Sequence, residues 1–185
     1  MKELLSQEGK DIFEDAIFSV FFNKGEMIFK EKSPVNQVKL VQKGLVKLCG
    51  NHHSQKPLII KLTGSGKFIE LSSIFNSKTH SVAAIAVEET IIQYIDIDTF
   101  LSLYYNNPAF NEEISKAIAC SNQHLLNQLI ARSIKRLPGR VADAILYFYE
   151  LNNQSLSFSF PLSRQKLAQL IGTTKESLIR TLTEF

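Results

Sequence analysis

The stretch of the sequence with the most chemistry in it runs from Ser163 to Thr183. Ser163 offers a hydroxyl to cap a helix over Arg164–Ile171, on which Leu167 and Ile171, four apart, share one face. Ala168 is small enough for two helices to cross closely, and Gly172 suits a tight turn with positive φ. Thr174 can cap a second helix whose buried side would be Leu178, Leu182 and Phe185. The opposite face then presents Lys175, Glu176, Ile179, Arg180 and Thr183. An α-helix fits the major groove of DNA, with its N-terminal side chains nearest the base edges. There Arg180 can fork onto guanine O6 and N7, Glu176 can accept from a cytosine N4, and Lys175 can reach a base or a phosphate. Arg164 opens the first helix and is placed for the phosphate backbone. The plainer alternative is an amphipathic helical hairpin with a solvated polar face. A small crossing residue, a turn glycine, apolar positions and a cap all coincide here, and that favours DNA reading.

Charge distribution supports the same end of the chain. The protein has 185 residues and a formal net charge of +3. Residues 1–130 hold 13 Lys and Arg against 14 Asp and Glu, whereas residues 131–185 hold 8 against 4. All five arginines (Arg132, Arg136, Arg140, Arg164 and Arg180) lie in that second stretch. The guanidinium fork suits bidentate recognition of phosphates and guanine edges, which lysine does not match.

The remaining composition is that of an ordinary globular protein, with 44% hydrophobic and 21% charged residues. No apolar run approaches the ~18–20 residues of a membrane span. The N-terminal stretch lacks the layout of a secretory signal. Cys49 and Cys120 are far apart and form no CxxC pair, which excludes a disulfide framework and fits a reducing cytoplasm. Both are expected to be buried as small hydrophobes.

Three kinds of element must position the hairpin. From about Phe18 to Ile97 short β-branched or aromatic runs alternate with glycine turns such as Lys43-Gly44 and Gly64-Ser65-Gly66. That pattern predicts an antiparallel barrel or roll, with the N-terminal ~15 residues as an amphipathic helix packed outside it. Asp96 leads into a short helix closed by Asn106-Asn107-Pro108. A long helix from Ala109 to about Lys135 carries a line of Ile114, Ile118, Ser121, Leu125, Gln128 and Arg132, spaced 4-3-4-3-4. A second line runs through Ala117, Leu126, Leu129 and Ile130. One face would cover the roll and another would pair with a second helix, although Gln128 and Arg132 are poor seam residues. Pro138-Gly139 is expected to stop this helix, with a new one starting at Arg140. Leu156–Phe160 alternates with period two and reads as a short strand.

A glycine-punctuated roll, a long helix, a Pro-Gly-Arg hinge and a C-terminal helix-turn-helix together resemble the CRP/FNR family of bacterial transcription regulators. The matching stretches are Lys24–Phe29, Val41–Lys47, Pro138–Ala142 and Ser163–Gly172. The resemblance implies an α+β architecture: a cupin-like β-roll over residues 1–108, a dimerisation helix over 109–136 and a helix-turn-helix domain over 137–185. The domain would be of the winged kind, although no wing is present in the sequence up to Phe185. It also implies a homodimer in the cytoplasm that binds a palindromic operator and contacts RNA polymerase. Lys175, Glu176 and Arg180 fall on base-reading positions, and Ser163, Arg164 and Thr174 on phosphate contacts. Lys175 and Ile179 depart from the commonest family residues, so the operator sequence stays open.

Family rolls often take a cyclic nucleotide through a Gly-Glu pair and a later Arg-Ser pair. Here Glu70 and Leu71 stand at the Gly and Glu positions, and His80-Ser81 at the Arg-Ser pair. Neutral imidazole is a weak phosphate partner. The long-helix positions that offer polar contacts to the base read Leu125-Leu126. Cyclic AMP is therefore disfavoured, and the effector, if one exists, is left open. No iron–sulfur site is expected, because no cysteine precedes Cys49. His52-His53 reads as an exposed hairpin turn rather than a haem ligand pair, and His124 as an interface or surface residue. Lys56, Lys61 and Lys67 could attract an anion or line a solvated strand face. No cofactor, metal site or catalytic residue is assigned: cupin catalysis needs His-x-His with a nearby Glu, and the sequence has neither. The second reading is a cyclic-nucleotide- or haem-binding sensor whose DNA binding is secondary.

Overall fold

The computed structural model describes residues 17–50, 57–76, 78–152 and 154–185. The expected N-terminal helix, the His52-His53 turn and Lys56 lie outside these residues.

Among the described residues of the N-terminal half there are eight strands: β1 (Ile17–Phe22), β2 (Met27–Phe29), β3 (Gln37–Lys43), β4 (Leu45–Gly50), β5 (Leu58–Gly64), β6 (Phe68–Ile69), β7 (Ala83–Ala86) and β8 (Thr90–Asp96). They form two four-stranded antiparallel sheets, ordered β1-β8-β3-β6 and β2-β7-β4-β5. The chain passes from the first sheet to the second between β3 and β4, through Gly44 alone. Gly44 has φ +97°, and a Cβ there would sit 2.6 Å from the Glu89 carbonyl oxygen and the Thr90 hydroxyl. Only glycine fits that corner. Val41, Val46, Leu48, Ile69, Ala84 and Ile92 fill the space between the sheets.

Among the described residues there are six helices, the first between β6 and β7 and the others after β8: α1 (Ser72–Phe75), α2 (Ile97–Asn106), α3 (Pro108–Ile134), α4 (Leu137–Leu151), α5 (Arg164–Ile171) and α6 (Lys175–Glu184). The Asp96 carboxylate caps α2 by accepting from the Thr99 amide (2.9 Å). Asn107 caps α3 by accepting from the Phe110 amide (3.0 Å). Phe100, Phe110 and Ile114 are buried against Val38, Leu71 and Ile95, which fixes the start of α3 on the roll. A further cluster crosses from roll to C-terminal helices: Leu45, Cys49, Ile59, Leu62 and Val87 pack with Val141, Phe148, Leu162, Leu167 and Leu178.

Four sequence expectations are corrected. Pro138-Gly139 lies in the first turn of α4, where proline's missing N–H costs nothing. The break is at Lys135-Arg136, both of which adopt extended backbone. Leu156–Phe160 forms no strand, for no neighbour pairs with it among the described residues. Its alternation instead turns Phe158 and Phe160 onto the core, with the Phe160 ring 5.1 Å from that of Phe148. Phe185, expected on the buried side of the second helix, is 68% exposed. Cys49 is buried, as expected, but Cys120 is exposed.

The two faces of α3 are also sorted. Ile114, Ile118, Ser121, Gln128 and Arg132 turn toward the protein's own body and are buried or half-buried. Leu126, Leu129, Ile130 and Ile134 are 49%, 63%, 46% and 77% exposed. Gln128 and Arg132 spoiled the first line as a helix–helix seam, and that line, apart from the exposed Leu125, is the inward one.

Candidate nucleic-acid interface and ligand cavity

The Ser163–Thr183 segment folds as two short helices around Gly172, which adopts φ 76°, ψ 51°. The Ser163 hydroxyl accepts from the Lys166 amide (3.3 Å), and the Thr174 hydroxyl accepts from the Ser177 amide (3.2 Å). Leu167, Ala168, Ile171 and Leu178 are buried, with Ala168 fully so. The other side of α6 faces solvent: Lys175, Glu176 and Arg180 are exposed and Ile179 is 43% exposed. Among the described residues none of Lys175, Glu176 or Arg180 forms an ion pair. Arg164 is exposed, with its guanidinium carbon 5.7 Å from the centre of the Phe160 ring. A helix with one buried apolar edge and an unpaired, charged outer face is equipped to meet hydrogen-bonding groups from outside the chain.

The hairpin is tied to the rest of the protein by contacts that local sequence did not announce. Arg132 of α3 donates to the Leu170 carbonyl (2.9 Å), and Arg140 of α4 reaches the Gly172 carbonyl (3.4 Å). Both carbonyls lie at the C-terminal end of α5, where a cation is favoured. The Tyr147 hydroxyl donates to the Leu62 carbonyl in the roll (3.1 Å), and burial pushes its pKa up to about 12. These links give Arg132 and Arg140 structural positions that charge arithmetic alone left blank.

In the roll, Glu70, His80 and Ser81 are brought together. Glu70 accepts the Ser81 amide on one carboxylate oxygen (2.7 Å) and lies 2.7 Å from His80 Nδ1 with the other. His80 is 3% exposed and stacks on Phe29 with centroids 3.6 Å apart. Lys39 Nζ sits 3.4 Å from His80 Nε2, so donation runs from Lys39 to His80 to Glu70. Glu70 holds φ +54°, a conformation that normally favours glycine, and its two hydrogen bonds offset the strain. The consequence is chemical. The amide that an incoming anion would seek already faces a carboxylate.

Glu70 and Leu71 line a cavity of about 640 Å³ between the roll and α3, together with Lys61, Lys67, Ser121 and His124. Leu125 and Leu126 do not line it; they lie on the outer side of α3 and are 36% and 49% exposed. Lys61 Nζ donates to the Ser121 hydroxyl (2.7 Å). Burial and then the nearby Lys67 hold the Lys61 pKa below its ordinary value. Burial, then Lys61 and Lys67, lower that of His124. His124 is thus turned inward, which its sequence context did not reveal. Among the described residues no group of His, Cys, Asp and Glu is arranged to hold a metal ion. No helix among them is long and apolar enough to cross a membrane.

Comparison with known proteins agrees with this arrangement along the chain. A family model of the cyclic nucleotide-binding domain matches residues 19–107, and a model of the Crp-like helix-turn-helix domain matches residues 139–185. The CRP-like cAMP-activated global transcriptional regulator of Mycobacterium tuberculosis is 23% identical over 170 residues, covering 90% of this chain and 76% of that protein. The cyclic AMP receptor protein of Thermus thermophilus is 26% identical over 161 residues, covering 87% and 73%. In fold, the chain resembles FixK2 from Bradyrhizobium japonicum with a TM-score of 0.80 at 19% identity, over 91% of this chain and 83% of that one. With a roll and a helix-turn-helix matched in order on one polypeptide, the protein belongs to the CRP/FNR family of bacterial transcription regulators.

Proposed function

We propose that the protein is a cytoplasmic homodimeric regulator in which α6 reads base edges in the major groove of a palindromic operator. The observation that carries this reading is the outer face of α6, where Lys175, Glu176, Ile179 and Arg180 are exposed above a buried Leu178 and, among the described residues, the three charged side chains form no ion pair. Arg180 and Glu176 read bases, Lys175 reads a base or a phosphate, and Ile179 offers an apolar surface to a thymine methyl. Ser163, Arg164 and Thr174 approach phosphates at the two helix starts, where amides and helix dipoles attract anions. Leu126, Leu129, Ile130 and Ile134 on α3 provide an apolar stripe for the same helix of a second copy. We divide the chain accordingly into a sensing roll at 1–108, a pairing helix at 109–136 and a DNA-binding unit at 137–185. RNA polymerase is the further partner that family membership suggests, and the chain acts as a regulator rather than an enzyme.

The names of two relatives specify cyclic AMP, but the residues of this roll argue for a different effector. Glu70 presents a carboxylate where a cyclic phosphate would need donors, and His80 is spent on Glu70 and Lys39. Selection of bound duplexes from a random pool at physiological salt tests the main reading. A two-fold symmetric motif with steep loss of binding at higher salt is expected. Recovery of no motif overturns it. A clear thermal shift with cyclic AMP overturns the effector argument.

A further inference from the structure

The cavity between the roll and α3 has two chemically different ends. Lys61 of β5 and Lys67 before β6 form the basic end, joined by Ser121 and His124 of α3. Leu71, Phe110 and Ile114, all buried, form an apolar floor. Among the described residues no carboxylate pairs with Lys61 or Lys67. The two acids in the wall are engaged elsewhere. Glu70 holds His80 and the Ser81 amide, and Glu113 lies at the surface 3.7 Å from Lys116. Two lysines and His124 thus share one wall; burial and then Lys67 depress Lys61, while burial, Lys61 and Lys67 depress His124 against an opposing effect of Glu150. An anion placed there would offset the repulsion between the two lysines.

We propose that this cavity binds an organic acid with one carboxylate on an apolar body. The carboxylate meets Lys61, Lys67 and the Ser121 hydroxyl, and the body lies on Leu71, Phe110 and Ile114. The lysine ammonium groups attract an anion as point charges, and the buried apolar floor favours a single charge on an apolar body over a compact polyanion. The volume is in the range that holds a small organic ligand. Since Lys61 belongs to the roll and Ser121 to α3, the bound carboxylate bridges the two elements. This inference rests on the roll being the sensing half of the regulator.

Calorimetric titration of the full chain with octanoate tests it, with octanol as the uncharged body and inorganic phosphate as the charge without a body. Octanoate is expected to bind at least ~10-fold more tightly than either control, and Lys61→Met to weaken it ~10–100-fold, the worth of a charged hydrogen bond. Lys61→Arg should restore most of the affinity. Lys67→Met, altering an exposed residue, should give a smaller loss and keeps the test valid if Lys61→Met folds poorly. Absence of octanoate binding overturns the proposal, as does equal binding of octanol or phosphate, or octanoate binding that survives removal of both lysines. The titration contains no DNA, so its failure is separable from a failed duplex selection.

Discussion

Arg132 and Leu170 are joined by a 2.9 Å hydrogen bond from guanidinium to carbonyl, linking the last turns of α3 to the last turn of α5. The same guanidinium lies 3.5 Å from the Ile59 carbonyl in β5. Its pKa is lowered by burial and by Arg140, so the charge is retained in this position against a cost and is held by helix-end carbonyls. Arg132→Met preserves the stem and removes the donors. It should cost ~1–3 kcal/mol in urea unfolding, with weaker operator binding as the hairpin loosens. Unchanged stability would show that the bond carries no weight.

Arg180→Ala should relax base preference at one position in each half-site by ~1–3 kcal/mol. Quantitative binding to single-base operator variants is the measurement. A uniform loss across all variants would instead assign Arg180 to phosphate.

Leu129→Glu places a charge in the middle of the exposed stripe of α3, where Leu129 is 63% exposed and touches little of its own chain. The variant should fold and sediment as a monomer, with operator affinity reduced more steeply than stability. A dimer of unchanged strength would move the seam elsewhere.

Glu70→Ala strands the Ser81 amide and His80 and forces an alanine into the left-handed conformation at this position. A loss of ~2–4 kcal/mol follows from unsatisfied polar groups plus strain. Glu70→Gly should recover part of it by relieving φ. If glycine is no better than alanine, backbone strain at this residue is not a contributor.

Lys39 is drawn down from 10.5 to about 8 by burial, with Glu70 opposing. Between those values the lysine is neutral in the fold and charged in the unfolded chain, so unfolding takes up a proton. Stability therefore rises with pH from about 8 toward 10.5, by a contribution of ~1–3 kcal/mol. Tyr147, raised to about 12, acts in reverse once the unfolded phenol ionises near ~10. Urea midpoints should climb from pH 8 to about 10 and then fall. Lys39→Met should flatten much of the climb, and an unaltered profile would remove Lys39 as its source.

The helix-turn-helix was legible because its determinants are local. Ser163, Gly172 and Thr174 act within four residues of themselves, and Leu167, Ala168, Ile171 and Leu178 follow helical spacing. The strand runs were legible for the same reason. The inward side of α3 was not, since Gln128 and Arg132 look like solvent-facing residues until the C-terminal helices are placed against them. Leu156–Phe160 misled because period two records which side is apolar but not whether a neighbour is present to pair with. Glu70 was read as a defect in a binding cassette. Its bond to Ser81, eleven residues on, depends on how the roll closes and has no local trace.

The buried cluster shared by β4, β5 and the C-terminal helices has an evolutionary consequence. Leu45, Ile59 and Leu62 are covered by Phe148, Leu162 and Leu167, so the recognition unit is not a detachable cartridge. Recombination that replaced the reader with one from a distant relative would leave a hole on the roll and an apolar scar on the newcomer. With α6 reading DNA as proposed, new specificities would arise by point changes on its outer face, and its inner face would be inherited together with the roll it covers.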